Sequence, residues 1–368
     1  MHITMIVPYF KPEITAIVHL MDDLAHDFSK YGADVTVITG FPLRGTSQAI
    51  RKEYLNKREE LIEDNVRVLR VGSKHEEGKS IFVRGLKYIL KTCAFYKMAC
   101  CIHTDAYYIY STPPVMGVIG ALLSKKAPTM YSLQDIFPDN LSALGRLKSM
   151  GIIYKMFRIM EDYIYRNNTL IVTISREMKK NLIDKKVDEN KIIIIGNWID
   201  TDEIKYIPRE KNPLFDQFGL DRNAFYVSYG GNLGYAQDLD IILGSAKLTQ
   251  LKVPEIQYII VGNGVCEPKI KKKIIDEGIN NVNIFPLQPE EYSAYVYSFG
   301  DVGLVTLKQN MQEYSMPSKT WAMMSASQPI ICTAMENTQL YEIISKTESG
   351  IVVRPEDHNE LANLIINL

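Results

Sequence analysis

Three stretches in the second half of this chain combine residue types that hold anions. The first is Tyr226-Val227-Ser228-Tyr229-Gly230-Gly231-Asn232-Leu233-Gly234, a β-type run closing in three glycines within five residues. A helical pattern, Asp238 to Leu248, follows it. Strand, glycine turn and helix bring bare backbone N–H groups and a helix N-terminus up to a phosphate. The spacing matches neither G-x-G-x-x-G nor G-x-x-x-x-G-K-[ST], and the turn alone reads equally well as a tight connection. The second stretch, Ile259-Ile260-Val261-Gly262-Asn263-Gly264, is again strand then glycines. The third, Met316-Pro317-Ser318-Lys319, opens a helix expected to run to about Ser327, with proline in its first turn. Ser318 and Lys319 then bring a hydroxyl and an ammonium to the positive end of a helix. A diphosphate fits between that terminus and Gly231–Gly234.

Carboxylates in the first half offer a second kind of chemistry. In Ser132-Leu133-Gln134-Asp135-Ile136-Phe137-Pro138-Asp139, Asp135 falls at a strand end, where it either touches a sugar or a reacting hydroxyl or serves as a cap. Asp139 reads as a helix cap. Glu161, on a helical run from Ile152 to Arg166, either faces a cleft or pairs with Arg158 or Arg166. Metal chemistry is not expected: Asp200-Thr201-Asp202 and Asp238-Leu239-Asp240 sit in a linker and on a helix, and no H-E-x-x-H exists. No G-x-S-x-G and no Cys/His spacing suggests a hydrolase.

The elements that must position these groups are parallel. Apolar runs of three to six residues alternate with helical patterns throughout: Ile3–Val7, Val35–Thr39, Val66–Val71, Ala106–Tyr110, Thr129–Leu133, Leu170–Ile174 and Ile192–Ile195, then Tyr226–Tyr229, Tyr258–Val261, Val282–Phe285, Val302–Thr306, Pro329–Thr333 and Ile351–Val353. This predicts two doubly wound, Rossmann-like α/β domains, 1–198 and 199–368, facing across a cleft, with ligands at the strand C-termini. The charged, aperiodic stretch Asn197 to Pro213 reads as the linker, and Arg44–Glu60 as a strand-poor surface excursion.

At 368 residues the chain has room for roughly two to three domains. A net charge of −1 gives no electrostatic case for nucleic acid. The five cysteines lack zinc or C-x-x-C spacing and read as reduced, mostly buried thiols. The N-terminus is too short for a signal peptide, so a soluble intracellular protein is expected. Two basic, apolar runs, Ile81–Met98 with Arg84, Lys87 and Lys91, and Arg146–Arg158, suit helices lying against anionic lipid as well as core helices with a solvated edge.

Taken in order, these motifs resemble the retaining glycosyltransferases of family 4, which have the two-Rossmann GT-B fold. The series is Tyr9-Phe10-Lys11-Pro12, Gln134-Asp135-Ile136-Phe137-Pro138, Glu161 before Tyr165-Arg166, Ile174-Ser175, Gly196-Asn197-Trp198-Ile199-Asp200, Gly231 to Gln237, Val261 to Gly264, Asn281-Val282 and Pro317-Ser318-Lys319. It covers nearly the whole chain and looks closest to bacterial N-acetyl-L-fucosaminyltransferases of O-antigen or capsule synthesis.

The resemblance implies that Gly231, Asn232, Leu233, Gly234, Gln237, Ser318 and Lys319 hold a donor diphosphate. Gly262, Gly264, Leu287 and Gln288 would border the nucleoside, and Asp135 and Glu161 would face the reaction. It implies a UDP-sugar donor, no metal, and a polyprenyl-diphosphate-linked saccharide acceptor at the cytoplasmic face of the plasma membrane, with other polysaccharide-assembly enzymes as possible partners. The chain departs from many relatives at Asn232 and Gln237, where they carry Arg and Lys, at Tyr314 and Ala322, where they carry glutamates, and at Glu13-Ile14-Thr15-Ala16, where they carry paired glycines. It ends at Leu368, where relatives continue, which implies a shortened terminus. The alternatives are a UDP-sugar 2-epimerase of the same architecture and a non-catalytic donor-binding assembly partner.

Overall fold

The computed structural model describes residues 1–15, 17–63, 65–73, 81–149 and 151–368. Ala16 and the side chains of residues 63 and 81–86, among them Arg84, lie outside the described residues. The chain forms two compact units, Met1–Gly196 and Asn197–Leu368.

Unit 1 runs β1 (His2–Ile6), α1 (Val18–Lys30), β2 (Asp34–Thr39), α2 (Gln48–Tyr54), β3 (Glu59–Glu63), β4 (Val66–Arg70), α3 (Ile81–Cys100), β5 (Ala106–Tyr110), α4 (Met116–Leu123), β6 (Thr129–Leu133), α5 (Asp139–Ala143), α6 (Ile152–Asn167), β7 (Leu170–Thr173), α7 (Arg176–Asp184) and β8 (Ile192–Ile194). The sheet order is β3-β4-β2-β1-β5-β6-β7-β8. Every pairing is parallel except β3 with β4. Its central strands are mostly apolar, as in parallel sheets covered on both faces; Met5, Ile6, Val37, Ile38 and Ile109 are fully buried. Gly32, at φ +85°, ends α1 and releases the chain into β2.

Unit 2 runs α8 (Leu214–Phe218), β9 (Tyr226–Gly230), α9 (Leu239–Lys252), β10 (Gln257–Val261), α10 (Glu267–Asp276), β11 (Val282–Phe285), α11 (Ser293–Tyr297), β12 (Val302–Val305), α12 (Lys319–Ser325), β13 (Ile330–Thr333), α13 (Gln339–Lys346), β14 (Gly350–Val353) and α14 (His358–Ile366). Its sheet is wholly parallel in the order β11-β10-β9-β12-β13-β14. The strand order reverses direction between β9 and β12, the point at which such sheets open a crevice for ligands beyond their C-terminal ends. The core gathers Val227, Tyr229, Leu233, Ile242 and Tyr258, while Phe215 stacks on Phe299 at 4.3 Å between centroids.

Three expectations need correction. Arg44–Glu60 contains α2 and the start of β3; the latter is an antiparallel edge strand whose Glu59 pairs with Arg67 of β4 at 2.8 Å. The expected linker at 197–213 is packed onto unit 2. Ile204 is buried against Ala322 and Ala326, Arg209 pairs with Asp301 at 2.7 Å, and Asn212 donates to Tyr295 O at 2.8 Å. Its anchors are irregularly spaced, so no period betrays them. Of the cysteines only Cys332 is buried, while Cys93 and Cys101 are exposed.

Candidate functional site

The glycine turn follows β9, at the reversal point of the second sheet. Gly231 adopts φ +127°, which favours glycine. Its N–H donates to Val261 O at 2.9 Å, Leu233 N–H donates to Asn263 O at 2.7 Å, and Leu233 O accepts from Cys266 N at 2.9 Å. The turns after β9 and β10 are thus laced to each other. A Cβ on Gly262 would collide with Gly231 O, and one on Gly264 would stand 2.5 Å from Leu233 O. The glycines at 262 and 264 are dictated by this close approach of two backbones.

That lacing revises two site assignments. Two of the N–H groups expected to face a phosphate, those of Gly231 and Leu233, are engaged within the protein. The Leu233 side chain is fully buried in the core, so Leu233 serves packing. Asn232 stays exposed on the turn.

Lys319 is the other wall. It is the first residue of α12 and is 9% exposed. Pro317 precedes the helix rather than starting it, Ser318 is the exposed N-cap residue, and the helix stops at Ser325. The Lys319 ammonium sits 3.5 Å above the centroid of the Tyr229 ring and 3.5 Å from where a Cβ on Gly231 would stand. Among the described residues it has no hydrogen-bond partner. Burial holds its pKa well below the ordinary lysine value. Tyr229 in turn donates its hydroxyl to Asn232 O at 2.8 Å and lies 3.3 Å from Gln237 Oε1. Tyr229 therefore links Lys319, Asn232 and Gln237. Its last in-facing position on β9 was the only sequence signal for that role.

Leu287 and Gln288 lie in the loop after β11, the strand beyond β10. Leu287 is 54% exposed; Gln288 accepts from Gln217 Nε2 at 3.2 Å and donates to Pro286 O at 2.8 Å. In the two acidic pairs, Asp200 accepts the N–H of Asp202 at 2.6 Å, and Asp240 pairs with Lys273 at 2.6 Å.

In unit 1 Asp135 lies just past β6. Its side chain keeps contact with solvent, yet desolvation by the surrounding protein pushes its carboxyl up to about 7. The loop that carries it is pinned at several points. Gln134 N–H donates to Ser111 Oγ at 3.0 Å, Ile136 is fully buried, and Phe137 meets Phe157 of α6 edge-on at 4.7 Å. Asp139 accepts from Tyr154 at 2.6 Å and pairs with Lys185 at 2.6 Å.

Glu161 takes the ion-pair alternative. It is 3% exposed, bonded to Arg158 and, at 2.8 Å, to Lys185. Lys185, at the end of α7, was not singled out from the sequence; burial lowers its pKa to about 8 against the raising effect of Asp139. Glu161 and Lys185 tie α6, α7 and the Asp135 loop together, which makes Glu161 a positioning residue rather than one aimed at a substrate. Glu13 stands out in the sequence only as part of a departure from relatives. Buried after β1, it accepts the N–H groups of Leu43 and Arg44, both at 2.9 Å, and desolvation raises its pKa.

Comparison with known proteins matches these two units to two family models. Residues 17–203 match Glycosyltransferase Family 4, and residues 224–368 match Glycosyl transferases group 1. The chain is 28% identical over 233 residues, 63% of its length, to the probable glycosyltransferase WbjE of Pseudomonas aeruginosa, and this match spans 58% of WbjE. It is 24% identical to the putative colanic acid biosynthesis glycosyl transferase WcaI of Escherichia coli K12, over 94% of this chain and 86% of WcaI. In fold it is similar to Anabaena Alr3699/HepE crystallised with UDP-glucose, at a TM-score of 0.71 and 17% identity over all of this chain and 89% of that one. The chain belongs to glycosyltransferase family 4, with the two Rossmann-like domains of the GT-B fold.

Proposed function

We propose that this transferase moves a sugar from a uridine diphosphate donor to a polyprenyl-diphosphate-linked saccharide in surface-polysaccharide synthesis, with retention at the anomeric carbon. An N-acetylamino sugar is the favoured donor. The observation that carries the reading is the buried ammonium of Lys319, beside the Gly231 turn and without a hydrogen-bond partner among the described residues. Burial disfavours the charged form of this lysine, and a diphosphate beside it would restore that form. HepE, of the same fold, is described with UDP-glucose, and WcaI is named for colanic acid biosynthesis.

In this reading the acceptor hydroxyl attacks the anomeric carbon from the face the leaving group departs. The bond from that carbon to the β-phosphate oxygen breaks, and its electron pair goes to the diphosphate. Lys319 stabilises the charge that develops there, a role a metal ion fills in other transferases. The acceptor proton passes to the departing phosphate oxygen, and Asp135 orients the acceptor hydroxyl or the transferred sugar. The site works on the inner face of the plasma membrane, where such an acceptor is found.

A thermal-shift panel of nucleotide sugars tests this reading. UDP-sugars should raise the melting temperature, the cognate donor most, with EDTA making no difference. A panel in which no uridine nucleotide shifts the transition refutes it.

A further inference from the structure

Helix α6 carries an apolar ridge that the rest of the described residues leave uncovered. Ile152 is 81% exposed, Ile159 72%, Met156 64% and Tyr163 40%. Spaced i, i+4, i+7 and i+11, they form one stripe along the outer face, opposite the buried Glu161, Ile164 and Tyr165. Water-facing helical surfaces normally place charges there. This one places charges only along its margins. Lys155 is exposed beside the ridge, Arg146 and Lys148 are exposed just before the helix, and Arg166 is exposed at its far end with Asp162 as its partner. Between Asp139 and Glu161 the chain has four cations and no carboxylate.

The neighbouring helices extend the pattern. Helix α4 packs against both α6 and α3. It adds exposed Leu122 and, just beyond its end, exposed Lys125 and Lys126; α3 adds exposed Ile89, Leu90 and Lys97 and contains no acidic residue. Not all the basic residues of α3 join in. Lys91 turns inward, donating to Pro8 O at 3.0 Å and lying 5.2 Å from the Tyr9 ring centroid.

We propose that the outer face of α6 is a docking surface for an anionic bilayer. The Ile152–Met156–Ile159–Tyr163 ridge enters the boundary between headgroups and acyl chains, and Arg146, Lys148 and Lys155 bind the lipid phosphates. A second copy of the chain fits this face poorly, because a two-fold contact would bring the same cations together. The inner face of α6 holds the Asp135 loop through Phe157 and Tyr154, so one helix couples the lipid surface to the candidate acceptor side. The proposal rests on the membrane-borne acceptor of the preceding section for its purpose, while its physical basis is the ridge and its charged margins.

Flotation of the full chain with phosphatidylcholine vesicles, with and without phosphatidylglycerol, tests it. Binding is expected only when phosphatidylglycerol is present. Lys148→Gln/Lys155→Gln should weaken it by roughly fivefold per cation. Ile152→Ser/Ile159→Ser should weaken it at least about tenfold without lowering the melting temperature, because both side chains are exposed. Met156→Trp should shift its emission to the blue on the anionic vesicles. No flotation by the wild type, undiminished flotation by the serine variant, or a dimer that the serine variant dissolves would each overturn the proposal. UDP affinity, measured on the same variants, should stay at the wild-type value; a failure of the docking proposal then leaves the donor-site reading intact, and the reverse.

Discussion

The Lys319 ammonium lies 3.5 Å above the ring of Tyr229, whose hydroxyl, at the opposite end of the side chain, holds Asn232 O at 2.8 Å. One aromatic residue thus seats the cation and shapes the turn the cation faces. A desolvated cation over an aromatic face is stabilised by about 2 kcal/mol, which offsets part of the cost of burying Lys319 before any ligand arrives. Tyr229→Phe keeps the ring and removes the hydroxyl. It should lower stability by about 1 kcal/mol and weaken UDP binding severalfold, as the turn loses one restraint. Denaturant melts and titration calorimetry on the variant check both; an unchanged UDP affinity would separate the turn from the donor site.

The lacing of the two glycine turns makes a second demand. A methyl on Gly262 has nowhere to go except into Gly231 O. Gly262→Ala should therefore destabilise unit 2 by roughly 1–3 kcal/mol and disturb the first turn. Gly278→Ala is the control: it tests strain at a positive φ of 62° in a place where the added methyl meets nothing. If Gly262→Ala melts no lower than that control, the turns are not interlocked as described.

Much of this architecture is legible in the sequence, because parallel strands buried on both faces print as continuous β-branched runs. β5, β6 and β11 fall at the expected residues, and the glycine turns and Lys319 come together at the reversal of strand order. What was hidden depends on contacts distant in sequence. Leu233 looked like part of a phosphate loop, yet its side chain is core and its N–H belongs to Asn263. For Glu161 the sequence left a cleft-facing role and a pair with Arg158 or Arg166 both open. The Arg158 pair forms, but its second partner, Lys185, lies at the end of another helix. The edge strand β3 is charged and has an irregular register, so no alternation marks it.

The Asp139–Lys185–Glu161 cluster supports a prediction about positioning. Lys185 is 11% exposed and shared by both carboxylates, so Lys185→Met leaves Glu161 to Arg158 and Asp139 to Tyr154. Removing one partner of such a buried network should cost about 3–5 kcal/mol. Glu161→Gln, which keeps hydrogen-bonding capacity, should cost less, and its kcat should fall while its KM for the donor holds. A fall in donor affinity instead would place Glu161 at the donor.

Asp135 should reveal itself through pH. Its folded pKa, about 7, is raised from 3.8, so the folded protein holds this proton more tightly than the unfolded chain. The stability this provides is complete below the unfolded value and is lost as pH rises through about 7. Asp135→Asn, which mimics the protonated form, should match the wild type near pH 4 and melt higher at about pH 8. Equal melting temperatures at both would show an unshifted group. The same variant should bind UDP normally and turn over about 10²-fold more slowly, and a wild-type rate would remove Asp135 from the site.

The central claim is that Lys319, buried and without a hydrogen-bond partner among the described residues, receives the donor diphosphate. It is tested most directly by titrating UDP into the wild type and into Lys319→Met, which keeps the apolar stem and removes the charge. Loss of a charge-assisted bond of about 1.5–3 kcal/mol predicts affinity weaker by roughly 10- to 150-fold. Equal UDP affinity in the two proteins would contradict it.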